Sequence, residues 1–280
     1  MIRRAFITSS ALTLLSSSGI KAANKNSSAS LENFQFNLGI AGYSFAFYKD
    51  QPDEAIRLLK ETGITRITLK DFHLPMQCTE DICKRIIAKF SVEGIDVYGL
   101  GVIYMKSPEE VRNAFHYAAR AGAGMIIGSP IPEVLDVVEE EVKKRNIRIA
   151  IHNHGPEDKI YPDIDIIHEK ITKRDRRIGI CLDIGHSFRC NHQPAAMLER
   201  YHDRVIDMHI KDVTIQKPDG KSTIPGRGVI DLEKFFATVK KVGYTGMCSL
   251  EYEIPGRPDT GIGESIGYLR ALTNTLAQKG

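Results

Sequence analysis

The apolar run near the N-terminus, AFITSSALTLL, falls well short of the about 20 residues that a bilayer-spanning helix needs. No cysteine precedes Cys78 to carry a lipid, so neither a membrane span nor a lipid anchor is expected. The five cysteines (Cys78, Cys83, Cys181, Cys190 and Cys248) are odd in number and contain no CxxC pair, which argues against a disulfide framework and a thiolate zinc site. Cys181 and Cys248 lie inside apolar runs, as small buried thiols do. No glycine-rich phosphate loop follows the first strand-like segment, and no Pro- or Ser-rich linker divides the chain after its leader. A nucleotide-binding open sheet and a two-domain layout are therefore disfavoured.

What is present begins with residues 1–23. Arg3 and Arg4, an apolar and serine-rich stretch and the small pair Ala22-Ala23 read as an export signal, of twin-arginine or general type. Residues 24–33 are polar and read as a flexible arm, leaving 34–280 as one domain. Arg3, Arg4 and Lys21 account for the formal net charge of +3, so the remainder is neutral. A neutral surface opposes a nucleic-acid partner. Whether identical chains assemble into a homo-oligomer is left open, and the leader places the protein outside the cytoplasm, in the periplasm or beyond.

From residue 36 onward, strand-like and helix-like patterns alternate. Strands are expected at 36–42, 65–70, 95–103, 124–129, 147–152, 177–183, 204–210 and 246–252, with helical patterns between them. Gly63, Gly94 and Gly243 stand where helices stop, and Pro52, Pro108 and Pro132 where helices start. Eight strands and eight helices in strict alternation predict an α/β fold, a single closed (β/α)8 TIM barrel. In such a barrel all strand C-termini meet at one rim, and that rim carries the active site.

Four consecutive strands end on residue types that bind metals or move protons. Strand five ends on His152 with His154 beyond it; strand six ends on Asp183, followed by a loop with Gly185 and His186. Strand seven ends on His209, Lys211 and Asp212, and strand eight on Glu251 and Glu253. Neighbouring strands lie about 4.8 Å apart, so His152, Asp183, His209 and Glu251 can converge on one divalent cation: Mn, Co, Fe, Zn or Mg. Any one of them could instead cap a loop; four in succession favour a metal site. His116, His168, His192 and His202 fall in helices or surface loops and read as structural or solvated.

The motifs LDIGH (182–186), HIKD (209–212), PGRG (225–228) followed by VIDLEKFF, and SLEYE (249–253) make the chain resemble the xylose isomerase-like superfamily of sugar isomerases and epimerases over nearly its whole mature length. The resemblance implies one divalent cation held by Asp183, His209 and Glu251, with His186 beside the substrate. Where that family usually has a first glutamate, this chain has His152. Because the two family glutamates serve as paired acid/base groups, the exchange disfavours two-base epimerisation and leaves chemistry with a single carboxylate.

That chemistry is abstraction of a proton α to the carbonyl of a keto-sugar, through an enediolate that the cation stabilises. Glu251 or Glu253 is the expected base, and His154 and His186 the hydrogen-bond or proton donors. Lys211 is expected to hold the developing oxyanion, a salt bridge to Asp212 being its alternative. Isomerisation and the lyase or hydratase chemistry of 3-keto-glycosides both follow from one base. Tyr43, His73, Arg227 and Glu253 are expected to line the substrate pocket, with Lys70, Asp71, Phe45 and Phe72 nearby. A barrel endonuclease and a non-catalytic sugar-binding protein are the competing classes; neutral charge opposes the first, and the missing glutamate would suit the second.

Overall fold

β-Branched runs of four to six residues cannot bury both faces alone, and a helix after each returns the chain to the same end of the sheet. The strands therefore add side by side in parallel. In the computed structural model, which describes residues 34–279, the ring closes with eight strands. They are β1 (Asn37–Ile40), β2 (Arg66–Leu69), β3 (Asp96–Met105), β4 (Met125–Pro130), β5 (Arg148–His152), β6 (Ile178–Asp183), β7 (Val205–Ile210) and β10 (Met247–Leu250). A small antiparallel ribbon, β8 (Asp212–Val213) with β9 (Ser222–Thr223), rises after β7. β10 pairs with β7 on one side and β1 on the other, closing the barrel. The expected (β/α)8 architecture is thus present. The leader of residues 1–23 and the arm at 24–33 lie outside the described residues.

Two strand ends differ from expectation. The first strand stops at Ile40, and Gly42–Tyr48 coils into a 3-10 segment. A Cβ on Gly42 would stand 2.5 Å from the Thr68 carbonyl oxygen, so only glycine lets the coil lie against β2. The third strand runs on to Met105 rather than 103, which brings Tyr104 onto the rim.

The helices are α1 (Pro52–Thr62), α2 (Glu80–Ser91), α3 (Pro108–Ala121), α4 (Leu135–Arg145), α5 (Ile164–Ile171), α6 (Ile184–Arg189), α7 (Pro194–Tyr201), α8 (Leu232–Lys241) and α9 (Asp259–Gln278). Pro52 and Pro108 occupy first turns, and Thr79 and Ser107 cap α2 and α3 with their hydroxyls. The segment after Asp183, read from sequence as a loop, is the short helix α6. Asp183 Oδ1 accepts the His186 amide at 2.8 Å, and that cap starts the helix.

The main core lies between the helix stripes and the outside of the barrel, with Leu58, Leu59, Phe115, Phe235, Phe236 and Leu269 fully buried or nearly so. A separate small cluster of Met125, Ile127, Ala150 and Cys181 packs with Tyr98, Val102 and Ile206. Cys181 and Cys248 are buried free thiols. Cys78 and Cys83, however, are joined in a disulfide between the β2–α2 loop and the first turn of α2. Their Cα atoms are 6.0 Å apart, a separation that suits a bridge. This single local bridge, which no CxxC pair signals, is not the disulfide framework that the cysteine count argued against. Among the described residues no helix is long and apolar enough to cross a membrane.

Candidate functional site

Because alternate strand residues face the same side, the last inward residue of each strand stands at the mouth of the ring. Asp183 on β6 is the direct register partner of His209 on β7. His152 ends β5, and Glu251 follows β10 with its amide bonded to the Ile210 carbonyl at 2.9 Å. One ligand atom from each of His152, Asp183, His209 and Glu251 lies within 4.8 Å of the others, and all four residues are buried. His152 Nε2 is 2.9 Å from His209 Nδ1 and 3.6 Å from Asp183 Oδ2. His209 Nδ1 is 3.1 Å from Glu251 Oε2. Two imidazole nitrogens and two carboxylate oxygens suit a divalent cation, and Asp183 Oδ2 is buried beside the Lys211 ammonium, 3.0 Å away, without an aligned hydrogen bond. The four residues fit such an ion, and their donor set does not select among Mn, Co, Fe, Zn and Mg.

Lys211 enters the same cluster. Its Nζ lies 3.0 Å from Asp183 Oδ2, 2.9 Å from Glu251 Oε2, 2.6 Å from Glu253 Oε2 and 3.5 Å from His186 Nε2. Gly185 makes this reach feasible, since a Cβ there would come within 2.3 Å of Lys211 Cγ. The alternative salt bridge to Asp212 does not form. Asp212 instead accepts the amides of Gly226 and Gly228 on Oδ2 and those of Val213 and Ile230 on Oδ1, so it gathers the PGRG loop.

Charge and burial set the protonation of these groups. Burial alone would raise Glu251, but the positive charge of His209 and Lys211 beside it holds its carboxyl well below the usual range. Asp183 is likewise lowered, His186 and Lys211 outweighing its burial. Burial works against the Lys211 ammonium, yet Asp183, Glu251 and Glu253 raise it well above its ordinary value. Burial pushes His152 down to about 4, His186 well down, and His154 down; His209 is raised because Glu251 overcomes its burial. Near neutral pH the site therefore presents carboxylates, an ammonium and a neutral His152.

The remaining expected residues divide. His154 stands on the cluster's edge, its ring centroid 4.4 Å from that of His152, with Nδ1 3.3 Å from Asp158 Oδ2 but outside hydrogen-bond geometry. His186 has its ring centroid 5.9 Å from that of His152. Glu253 also accepts the Ser222 hydroxyl, and it shares a cavity of about 340 Å³ with Tyr43, which is 44% exposed. His73 is only 2% exposed and lies against Phe45 and Phe72, with neither ring nitrogen hydrogen-bonded. Arg227 is 62% exposed and pairs with Glu264 on α9, 2.5 Å away, so it points outward from the PGRG loop. Lys70 donates to the Val102 carbonyl at 2.9 Å.

Two functional neighbours were not picked out from sequence. Asn153, fully buried between the two histidines of IHNHG, accepts the Asp183 amide at 2.9 Å and donates to the Asp183 carbonyl and Ser187 hydroxyl, fixing β6 against β5. An asparagine between two rim histidines was the available signal. Tyr104 stacks on His154, centroids 5.4 Å apart, with its hydroxyl 3.0 Å from His154 Nε2. It was missed because the third strand was ended too early.

A model of the xylose isomerase-like TIM barrel family matches residues 31–272. The chain belongs to that family. Among its curated relatives, this xylose isomerase-like barrel is 26% identical over 135 residues to inosose dehydratase of Lacticaseibacillus casei, covering 42% of this chain and 45% of the relative. The match thus spans less than half the length of that relative. Among solved structures, IolI, described with a bound zinc atom, superposes with a TM-score of 0.71 at 14% identity, covering 86% of this chain and 99% of that one. The 3-keto-D-glucoside 4-epimerase YcjR from E. coli superposes with a TM-score of 0.68 at 15% identity, covering 85% and 100%. At these identities the structural likeness establishes the fold. Dehydratases and epimerases recur among the curated relatives, inosose dehydratase and L-ribulose-5-phosphate 3-epimerase UlaE being two of them.

Proposed function

We propose that the protein is a divalent-metal-dependent lyase that removes the proton α to the ketone of a 3-keto-glycoside and expels the β-substituent. The observation that carries the reading is the pairing of one buried carboxylate base, Glu251, with the Lys211 ammonium 2.9 Å away, opposite a histidine instead of a second carboxylate. A cation held by His152, Asp183, His209 and Glu251 would act as a Lewis acid on the ketone oxygen. Glu251 takes the proton from C2. The C2–H electron pair forms the C1–C2 double bond as the C1–O bond breaks, and the same carboxyl group returns the proton to the departing oxygen. One base thus serves both halves of the elimination, whereas epimerisation through opposed bases needs a second.

Lys211, its ammonium shared by Asp183, Glu251 and Glu253, offsets the charge that develops on the substrate oxygen. Glu253, sharing the ammonium and facing the cavity with Tyr43, binds a substrate hydroxyl. His154 and His186 are hydrogen-bonding groups along the sugar ring. The name of the inosose dehydratase relative supports elimination from a cyclic keto-polyol as chemistry within reach of this fold. Isomerisation through the same enediolate is the second reading, favoured by the same single base if the proton returns to the adjacent carbon.

The test incubates purified protein, loaded with Mn or Zn, with a 3-keto-glucoside in D2O and follows aglycone release, enone absorbance and deuterium at C2. Release that vanishes in Glu251→Gln supports the lyase. Exchange or rearrangement without release moves the assignment to isomerase, and neither event rejects both. In the same preparation, elemental analysis should find about one metal ion per chain, lost in His209→Ala, if the donor set serves the role proposed.

We also infer that residues 1–23 direct export. The Cys78–Cys83 bridge supports this, since disulfides persist in oxidising compartments. Mass analysis of the protein from the periplasmic or culture fraction should find a chain beginning near Asn24.

A further inference from the structure

Beside the metal cluster lies a second cavity that the chemistry above does not use. It measures about 630 Å³ and is lined by Met76, Gln77, Cys78, Tyr104, Glu110, Asn113 and Arg120, between the β2–α2 loop and α3. Its size falls within the roughly 300–1,000 Å³ of small-molecule sites. The link to the reacting centre is a row of rings: His209 to His152 at 4.7 Å, His152 to His154 at 4.4 Å and His154 to Tyr104 at 5.4 Å, with Tyr104 forming the near wall of the cavity. Tyr104 is thus shared by the stack on His154 and the cavity lining, so a ligand that extends from the cluster past His154 meets the cavity at that ring.

The lining says what kind of group would be held. Gln77 and Asn113 each offer a donor and an acceptor, the requirement for reading sugar hydroxyls, which are also both. Arg120 spends Nη2 on the Met76 carbonyl at 2.7 Å, while its Nε is buried without a partner. Tyr104, 53% exposed, gives one aromatic face on which a pyranose ring can lie. The disulfide through Cys78 fastens the loop that forms the opposite wall to the start of α2.

We propose that this groove is the subsite for the leaving half of the substrate, and that this half is a second sugar ring, making the substrate class a 3-keto-disaccharide. The inference rests on the lyase reading for which ring reacts, but the groove's preference for a second ring can be measured without turnover.

The experiment has two arms on the metal-loaded protein and its Asn113→Trp variant, which fills the groove. The first compares kcat/KM for 3-keto-cellobiose with that for methyl 3-keto-β-glucoside; the second compares calorimetric binding of cellobiose and methyl β-glucoside, neither of which carries a ketone. Two or so added hydrogen bonds and a stacking face should favour the disaccharide by about 10- to 100-fold, and the variant should bring the ratio toward one. Turnover of both keto-sugars with equal efficiency, and no effect of the variant, overturns the subsite while leaving the lyase intact. No turnover, with a cellobiose preference that Asn113→Trp abolishes, overturns the lyase and keeps the subsite. Absence of both overturns both.

Discussion

Three strands each carry two neighbouring inward residues, and the two layers they form behave in opposite ways. The upper layer holds Asp183, His209 and Glu251; one step down on the same strands are Cys181, Asp207 and Ser249. Asp207 is buried without a cation at hydrogen-bond range: Tyr98 donates to its Oδ1 at 3.3 Å and the Cys181 thiol lies 3.8 Å from its Oδ2. Burial pushes it up to about 7, the charge of His209 above it being the largest opposing influence. Asp183 and Glu251, equally buried, are held far down by His186, His209 and Lys211. Burial alone therefore does not decide a carboxyl's state; the neighbouring histidines and ammonium do. The barrel keeps charge at its mouth and nearly neutral polar groups beneath.

Removing the cation should break this contrast with the largest effect. In Lys211→Met, Asp183 and Glu251 lose their common partner, and the metal-free protein should be destabilised by about 3–5 kcal/mol in urea unfolding, as when one member of a buried ion pair is deleted. Added Mn or Zn should recover part of that loss by binding the native state. A variant as stable as the parent would show that the ammonium does not hold the carboxylates.

The lower layer should respond with the opposite sign. Asp207 has a folded pKa above its unfolded value, so the native state binds the extra proton and stability falls as pH rises from about 4 to 7. Asp207→Asn removes that fall. Urea titrations of the metal-free chains should show the variant gaining on the parent across this window, by at most a few kcal/mol at pH 8. Parallel curves would refute the assignment.

Smaller changes sharpen the comparison. Gly185→Ala drives a methyl into the Lys211 stem and should cost about 1–3 kcal/mol while displacing the ammonium, read as a rise in the Glu251 pKa by carboxyl NMR. Tyr98→Phe deletes the 2.7 Å bond between Tyr98 and Ser249 and should cost about 1 kcal/mol, leaving metal content untouched. A Tyr98→Phe chain that loses metal would mean that the layers are coupled.

The ring and its rim were legible in the sequence because both follow from local pattern. β-Branched runs ended by His152, Asp183, His209 and Glu251 need only parallel closure to converge. What escaped depends on distances between segments far apart in the chain. Lys211 chose Asp183, Glu251 and Glu253 over the adjacent Asp212 because Asp212 was occupied by four amides of its own and the PGRG loop. His73 and Arg227 were placed at the mouth by their position after strands; one lies against Phe45 and Phe72 and the other pairs with Glu264, and nothing in a strand-end pattern encodes side-chain direction in a loop. Asp183 was read as ligand or cap; Oδ1 caps α6, which leaves Oδ2 turned to the cluster.

The seam between β1 and β10 joins segments about 210 residues apart, Asn37 pairing with Met247 and Ile40 with Leu250. Contacts of such high sequence separation form late when a chain collapses, because the loop they close is long. Glu251 rides on the strand that completes the circle, so three of the four donors can be in place while the site is still open on one side. If the four donors hold a cation as proposed, its uptake during refolding should coincide with the last kinetic phase and so report ring closure.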